Sequence, residues 1–241
     1  VKVVCGIDRS SDGLPIGWNA EVAPEPSLLK EVPDLFVDFS RPDCSMKVVE
    51  YAAARNCSIV LGTTGFTPEQ REQIKAASRS IPIVMAANFS VGVNLLLNLI
   101  HKSAGVLSDV DLEIVEAHHR YKVDAPSGTA LAMGEAAASA RHVALRDVMV
   151  AGRNGDTGAR QYGTIGFSSI RGGDIVGEHT AMFCGDGERL ELKHIATSRQ
   201  TFASGAMRAA KWLEKRKPGL YGINDVLGLD FAAAGAEGRG G

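Results

Sequence analysis

Along about the first 90 residues, apolar runs of strand length alternate with segments of helical period. The runs VKVVCGI, LFVDFS, SIVLGTTG and IPIVMAAN are nearly continuous rather than alternating, as in parallel strands buried on both faces. Between them, CSMKVVEYAAARN and TPEQREQIKAAS read as helices. In the second, Thr67 is placed as N-cap, Pro68 as first helical residue and Gln70 at the third position, a capping-box pattern. Strand and helix in this alternation predict a doubly wound α/β domain.

After residue 90 the pattern changes. A helix over about 91–106 leads to the strand DLEIVEAHH, then to the helix APSGTALAMGEAAASA behind a Pro-Ser-Gly turn. Residues 163–198 hold the β-type runs GTIGFSSI, DIVGEHTAMFC and ERLELKHIAT. Gly172, Gly173, Gly185 and Gly187 punctuate them, which predicts a meander of mainly antiparallel strands. FASGAMRAAKWLEKR reads as a last helix, and the small-residue end FAAAGAEGRGG is expected to be mobile. Ile81 to Ile100 has the length of a membrane span, 20 residues without charge. Pro82, Asn88, Ser90, Asn94 and Asn98 make a short strand and an amphipathic helix the better reading, and no membrane partner is expected.

Composition narrows the function classes. Lys plus Arg is 26 and Asp plus Glu is 28, a net charge of −2, so binding to nucleic acid through many phosphate contacts is not expected. With 45% hydrophobic and 22% charged residues, the chain is ordinary for a globular protein and too apolar for disorder. Its 241 residues suit one or two domains. Cys5, Cys44, Cys57 and Cys184 are scattered, which favours reduced thiols in a cytoplasm over a disulfide scaffold. No basic segment followed by an apolar one opens the chain, so no signal peptide is expected.

The densest chemistry is Glu116-Ala-His118-His119-Arg120-Tyr121-Lys122-Val-Asp124-Ala-Pro126-Ser127-Gly128-Thr129. Two adjacent histidines can gain or lose protons near neutrality, and a lysine supplies a positive charge or a proton. Pro126 keeps Ala125 extended, so Ser127 can cap the helix that begins at Gly128. The first amides of that helix lack internal partners, carry the positive end of the dipole and form a socket for a carboxylate or phosphate. A small anionic substrate beside proton donors follows. A metal bound by Glu116, His118 and His119 is disfavoured, because in a strand His119 faces away from the other two.

Gly62-Thr63-Thr64-Gly65-Phe66 ends one predicted strand and Ala86-Ala87-Asn88-Phe89-Ser90 the next. Open α/β sheets bind ligands at the carboxyl ends of strands, so two such turns together point to a cofactor cleft. Asp8-Arg9 ends the opening strand. In a dinucleotide fold an acidic residue bonds the ribose there, and an Arg accepts a 2′-phosphate. Only seven residues precede Asp8, and no G-x-G-x-x-G occurs.

The segment EIVEAHHRYKVDAPSGTALAMGEA resembles the signature of bacterial dihydrodipicolinate (4-hydroxy-tetrahydrodipicolinate) reductases. LFVDFSRP, VLGTTGF, AANFSVGVN, GTIGFSSIRGGDIVGEHT and SRQTFASGAM are similar to that family in the same order, over roughly residues 1 to 230. The resemblance implies an α/β fold: a Rossmann-type parallel-sheet domain (1–89 and 199–241) and an α+β substrate and tetramerisation domain (90–198) with a mixed, mainly antiparallel sheet. It implies reduction of the cyclic dicarboxylate by NADPH or NADH on the diaminopimelate route to lysine, in a homotetramer. It assigns proton transfer to His118 and Lys122, and substrate contacts to His119, Ser127, Gly128 and Thr129. Cofactor contacts fall on Asp8, Arg9, Gly62, Thr63, Thr64, Ala86, Ala87, Asn88 and Phe89, and no metal is implied. Arg9 would favour NADPH, and Asp8 NADH.

The family opens with a strand and a Gly-rich phosphate loop, and this sequence starts after both. The expectation is therefore an incomplete copy whose sheet lacks a central strand and whose own cofactor binding is poor. Two other readings follow: a different nicotinamide oxidoreductase, such as an amino-acid dehydrogenase, or a non-catalytic truncated copy acting as an oligomerising module.

Overall fold

The computed structural model describes residues 2–8 and 20–229, so Arg9 and the terminal FAAAGAEGRGG lie outside the described residues. The described residues form two compact units, one from those within 1–89 and 202–228, the other from 90–201 with Leu229. The return to the first unit falls at Phe202, a few residues beyond Arg199.

The first unit runs β1 (Cys5–Ile7), β2 (Glu21–Ala23), a 3-10 turn (Pro26–Leu28), β3 (Leu35–Asp38), α1 (Pro42–Arg55), β4 (Ser58–Leu61), α2 (Pro68–Ala77) and β5 (Pro82–Met85). The second holds α3 (Val91–Val106), β6 (Asp111–His118), α4 (Gly128–Ala140), α5 (Leu145–Val148), β7 (Met149–Ala151), β8 (Ile165–Arg171), β9 (Gly177–Cys184) and β10 (Arg189–Ala196). Helix α6 (Gln200–Leu213), β11 (Gly219–Tyr221) and α7 (Ile223–Leu227) follow.

In the first unit the four strands β11-β5-β4-β3 form an all-parallel sheet. Alternation along β4 and β5 sends Ile59, Leu61 and Ile83 into one core with Val48, Val49, Ala52 and Ile74. Val60 and Val84 go into a second core with Ala206, Ala209, Ala210 and Leu213. Both faces are buried, which is why these strands read as continuous apolar runs. The α2 capping box forms as the sequence predicts: the Gln70 amide donates to Thr67 Oγ1 at 3.2 Å, and the Thr67 amide to Gln70 Oε1 at 3.0 Å.

The parallel pair β1-β2 is a separate sheet. Among the described residues β1 and β3 are not paired, yet both line one cavity of about 2050 Å³.

The second unit has a five-stranded sheet in the order β10-β9-β6-β8-β7, with α3 and α4 on one face. Pairs β10–β9 and β9–β6 are antiparallel, whereas β6–β8 and β8–β7 are parallel. The expected meander is therefore corrected, because β6 lies between β8 and β9. The glycine loop after β8 passes over the end of β6: the Gly172 amide donates to the His118 carbonyl at 3.0 Å, and the Arg120 amide to the Gly173 carbonyl at 3.2 Å. Gly173, with φ of +49°, takes the left-handed conformation this crossing needs. Among the described residues no helix is long and apolar enough to cross a membrane.

Candidate active site

Strand parity and register build the site. On β6 the side chains of Leu112, Ile114, Glu116 and His118 share the face that carries the helices. Leu112 and Ile114 are fully buried in the core of the second unit. Toward the carboxyl end of the strand the same face turns polar. Register puts His179 of β9 opposite Glu116, and Ser169 and Arg171 of β8 beside Glu116 and His118. Four chemistry-bearing side chains, Glu116, His118, Arg171 and His179, thus meet where the hydrophobic core ends.

Glu116 is 1% exposed, and both of its carboxylate oxygens accept hydrogen bonds. Arg171 grips it as a fork, Nη1 donating to Oε2 at 2.9 Å and Nη2 to Oε1 at 2.7 Å. The Ser127 amide donates to Oε1 at 3.3 Å, and His118 Nδ1 lies 2.6 Å from Oε2. Burial alone would raise the carboxyl pKa, but hydrogen bonds from Arg171, Ser169 and His118 outweigh it and hold the group down at about 2. Glu116 is therefore ionised at neutral pH and can only accept, so the proton between it and His118 sits on Nδ1. His118 Nε2 is left to exchange protons, and among the described residues it has no hydrogen-bond partner.

His179, 5% exposed, packs edge-on to His118 with ring centroids 5.1 Å apart. Burial, and secondarily the nearby His118, push its pKa down to about 4, so it is neutral at pH 7. Its Nε2 lies 2.9 Å from the Ser127 hydroxyl, which also accepts the Ala130 amide at 3.2 Å. Ser127 is thus the N-cap of α4, as its sequence position predicts. It is 2% exposed, and its hydroxyl is engaged internally. Next to it, a Cβ on Gly128 would meet nothing within 4 Å, so the first turn of α4 opens onto space. Gly128 and Thr129 carry the first amides of that turn.

Lys122 follows β6 in a turn and donates to both carboxylate oxygens of Asp124, at 2.7 and 2.9 Å. That donation lowers the Asp124 pKa. Arg171 Nη2 also donates to the Asp124 carbonyl at 2.7 Å, tying this turn to Glu116. His119 lies just past the end of β6, its ring 6.4 Å from that of Tyr121.

The sequence pointed to His118, Lys122, Ser127, Gly128 and Thr129, and the structure places them around one strand end. Arg171 and His179 were missed. Both stand in motif-bearing strands, but their link to Glu116 depends on cross-strand register, which one strand's pattern does not show.

In the first unit the expected nucleotide contacts gather at the carboxyl ends of β1, β4 and β5. Asp8 follows β1, its amide donating to the Ala23 carbonyl at 3.1 Å. Gly62 lies so close to Phe39 that a Cβ there would fall 2.2 Å from the ring. Thr63 is buried and accepts the Ser45 hydroxyl at 2.8 Å, while Thr64 is exposed. Ala86 is half-buried and Ala87 exposed, and Asn88 is half-buried. Phe89, by contrast, is 1% exposed and its side chain belongs to the core. Asp38, buried at the end of β3, takes the Ser40 amide on Oδ1 at 2.8 Å, and its Oδ2 has no partner among the described residues. Asp8 and Asp38 both line the cavity between β1 and β3. No glycine-rich turn in the sequence fits a dinucleotide's pyrophosphate.

A parallel-sheet unit with ligand-type turns on its carboxyl edge has the architecture of nucleotide-binding domains, and the second unit holds a buried carboxylate–histidine pair. Two family models match: dihydrodipicolinate reductase, N-terminus, over residues 2–89, and dihydrodipicolinate reductase, C-terminus, over residues 92–227. The chain belongs to the dihydrodipicolinate reductase family, whose N-terminal domain is a nucleotide-binding Rossmann domain. Among solved structures, the dipicolinate-bound dihydrodipicolinate reductase from Paenisporosarcina sp. TG-14 is 26% identical, with a TM-score of 0.74 over 92% of this chain and 88% of that one. An amine dehydrogenase from Mycobacterium smegmatis shares the fold at 12% identity and a TM-score of 0.52, over 96% of this chain and 90% of that one.

Proposed function

We propose that the protein catalyses reduction of 4-hydroxy-tetrahydrodipicolinate to tetrahydrodipicolinate by NADPH or NADH, on the diaminopimelate route to lysine. The observation that carries this reading is the ionised Glu116 holding His118 beside the open first turn of α4, in a chain that the two family models match from residue 2 to 227. The dipicolinate named for the Paenisporosarcina structure is a cyclic dicarboxylate of the same kind.

The nucleotide supplies a hydride, a proton joins it, and the 4-hydroxyl leaves as water. The Gly128 and Thr129 amides hold one substrate carboxylate at the helix N-terminus, and Lys122 and His119 face the other. His118 Nε2 or Lys122 gives the proton and stabilises the charge that develops on the ring. On the first unit, Asp8 takes the ribose, and Gly62–Thr64 with Ala86–Phe89 orient the rest.

Assembly into a homotetramer accompanies this reading. Its support is the sheet face opposite α3 and α4, where Ile170 and Ile195 are 52% and 51% exposed. A cytoplasmic setting is supported by the four cysteines, none of which is in a disulfide. The test is loss of 340 nm absorbance from NADPH or NADH with the cyclic substrate generated in the assay. Turnover supports the reading. A tetramer that binds neither nucleotide nor substrate would favour a non-catalytic module.

A further inference from the structure

The Glu116–Arg171 pair does more than fill a polar pocket at the end of the core. Arg171 spends its fork on Glu116, and the same guanidinium reaches two main-chain carbonyls, Nη1 to Ile170 and Nη2 to Asp124, each at 2.7 Å. The Asp124 carboxylate in turn holds Lys122. One continuous chain of charge-assisted contacts therefore runs from His118 through Glu116, Arg171 and Asp124 to Lys122. Its two ends are the two groups to which proton transfer is assigned. Every link involves an ionised partner, and such bonds are the strong and geometrically specific ones.

We propose that Glu116 and Arg171 are positioning residues that fix the proton of His118 on Nδ1, present its Nε2 to the substrate, and set the spacing between His118 and Lys122. This rests on the reading of His118 as the proton-transfer group. The physical reasons are three. An ionised carboxylate accepts and cannot donate, so it selects one imidazole tautomer. A planar guanidinium bonded to both carboxylate oxygens stops the carboxylate rotating, and lysine could not do this. The crowding around the ring leaves it little room: a Cβ on Gly177 would lie 3.1 Å from His118 Nε2, and His179 closes another side. His118 is thus held in plane by Glu116 and in place by β9.

The direct test is the nitrogen-15 spectrum of the His118 ring in the whole protein, recorded as pH is raised until the ring signals stop changing and assigned by comparison with His118→Gln. The expected result is the Nδ1–H tautomer in the wild type and a mixture of tautomers in Glu116→Gln. A wild-type ring protonated on Nε2 overturns the proposal whatever the variants do. Kinetics give the second readout. Glu116→Gln and Arg171→Lys should lower kcat by about 10- to 100-fold, the scale of orienting partners, with nucleotide affinity unchanged. Glu116→Asp, which keeps the charge but shortens the reach, should recover part of that loss. If His118→Gln is inactive while Glu116→Gln turns over like the wild type, the positioning role is wrong and the functional reading stands. If His118→Gln itself keeps wild-type turnover, the functional reading is what fails.

Discussion

His118 Nδ1 lies 2.6 Å from Glu116 Oε2, two residues back on the same strand and on the same face. Strand alternation makes this pairing unavoidable once β6 runs through His118. The cost of burying the carboxylate is offset by Arg171 and by the Ser127 amide. The cap that starts α4 and the pair that prepares His118 therefore share one residue.

Two buried groups make stability fall as pH falls. The folded pKa of His179 is lowered from 6.5 to about 4, so the unfolded chain binds its proton first and stability declines between pH 6.5 and 4. The Glu116 pKa is lowered from 4.5 to about 2, so its contribution is complete above pH 4.5 and is lost on the way down to 2. Each shift corresponds to on the order of 3 kcal/mol. Urea unfolding from pH 7 to 3 should show both declines, and His179→Gln should flatten the upper one.

Two glycines should respond oppositely to alanine. A Cβ at Gly205 would fall 1.7 Å from the Phe89 carbonyl oxygen, which is main chain and does not yield. Gly205→Ala should cost about 3 kcal/mol or more, seen as a large drop in Tm. Gly128→Ala meets open space and should leave Tm nearly unchanged. Its effect should be a raised KM for the dicarboxylate, since the methyl group crowds the amides of the first turn.

Much of this was legible in the sequence, and the reasons differ by element. The capping box at Thr67 and the Ser127 cap are local devices whose spacing is written in consecutive residues. The β6 strand and its shared Glu116–His118 face follow from alternation. The partners across the sheet do not. A reading along the chain makes sequence neighbours into hairpins, so β8 and β9 look adjacent, whereas the Gly172–Gly173 loop carries the chain over β6. That one crossing brings Arg171 and His179 to Glu116 from opposite sides. Phe89, which follows β5, turns its side chain to the α6 side of the sheet, where it is buried.

Gly177→Ala probes the fit of His118 without touching its charge. A Cβ there sits 3.1 Å from Nε2, so the ring must move by a few tenths of an ångström. The expected outcome is a folded protein with kcat reduced about tenfold, because small misplacements of a reacting group are costly. Circular dichroism and initial rates check both halves.

Ser127→Ala removes a helix cap and strands the His179 ring. Together these should cost about 1–3 kcal/mol in unfolding free energy. Chemical denaturation measures it, and the α4 amides should lose hydrogen-exchange protection first.

The central claim is that His118 at the end of β6 transfers the proton in a nucleotide-dependent reduction. The measurement that tests it most directly is the rate of hydride transfer in a single turnover, followed by nucleotide absorbance, for the wild type and for His118→Gln. The account predicts a rate lower by about 10²- to 10⁴-fold in the variant, with unaltered nucleotide affinity and unaltered Tm. Equal rates in the two proteins would contradict it.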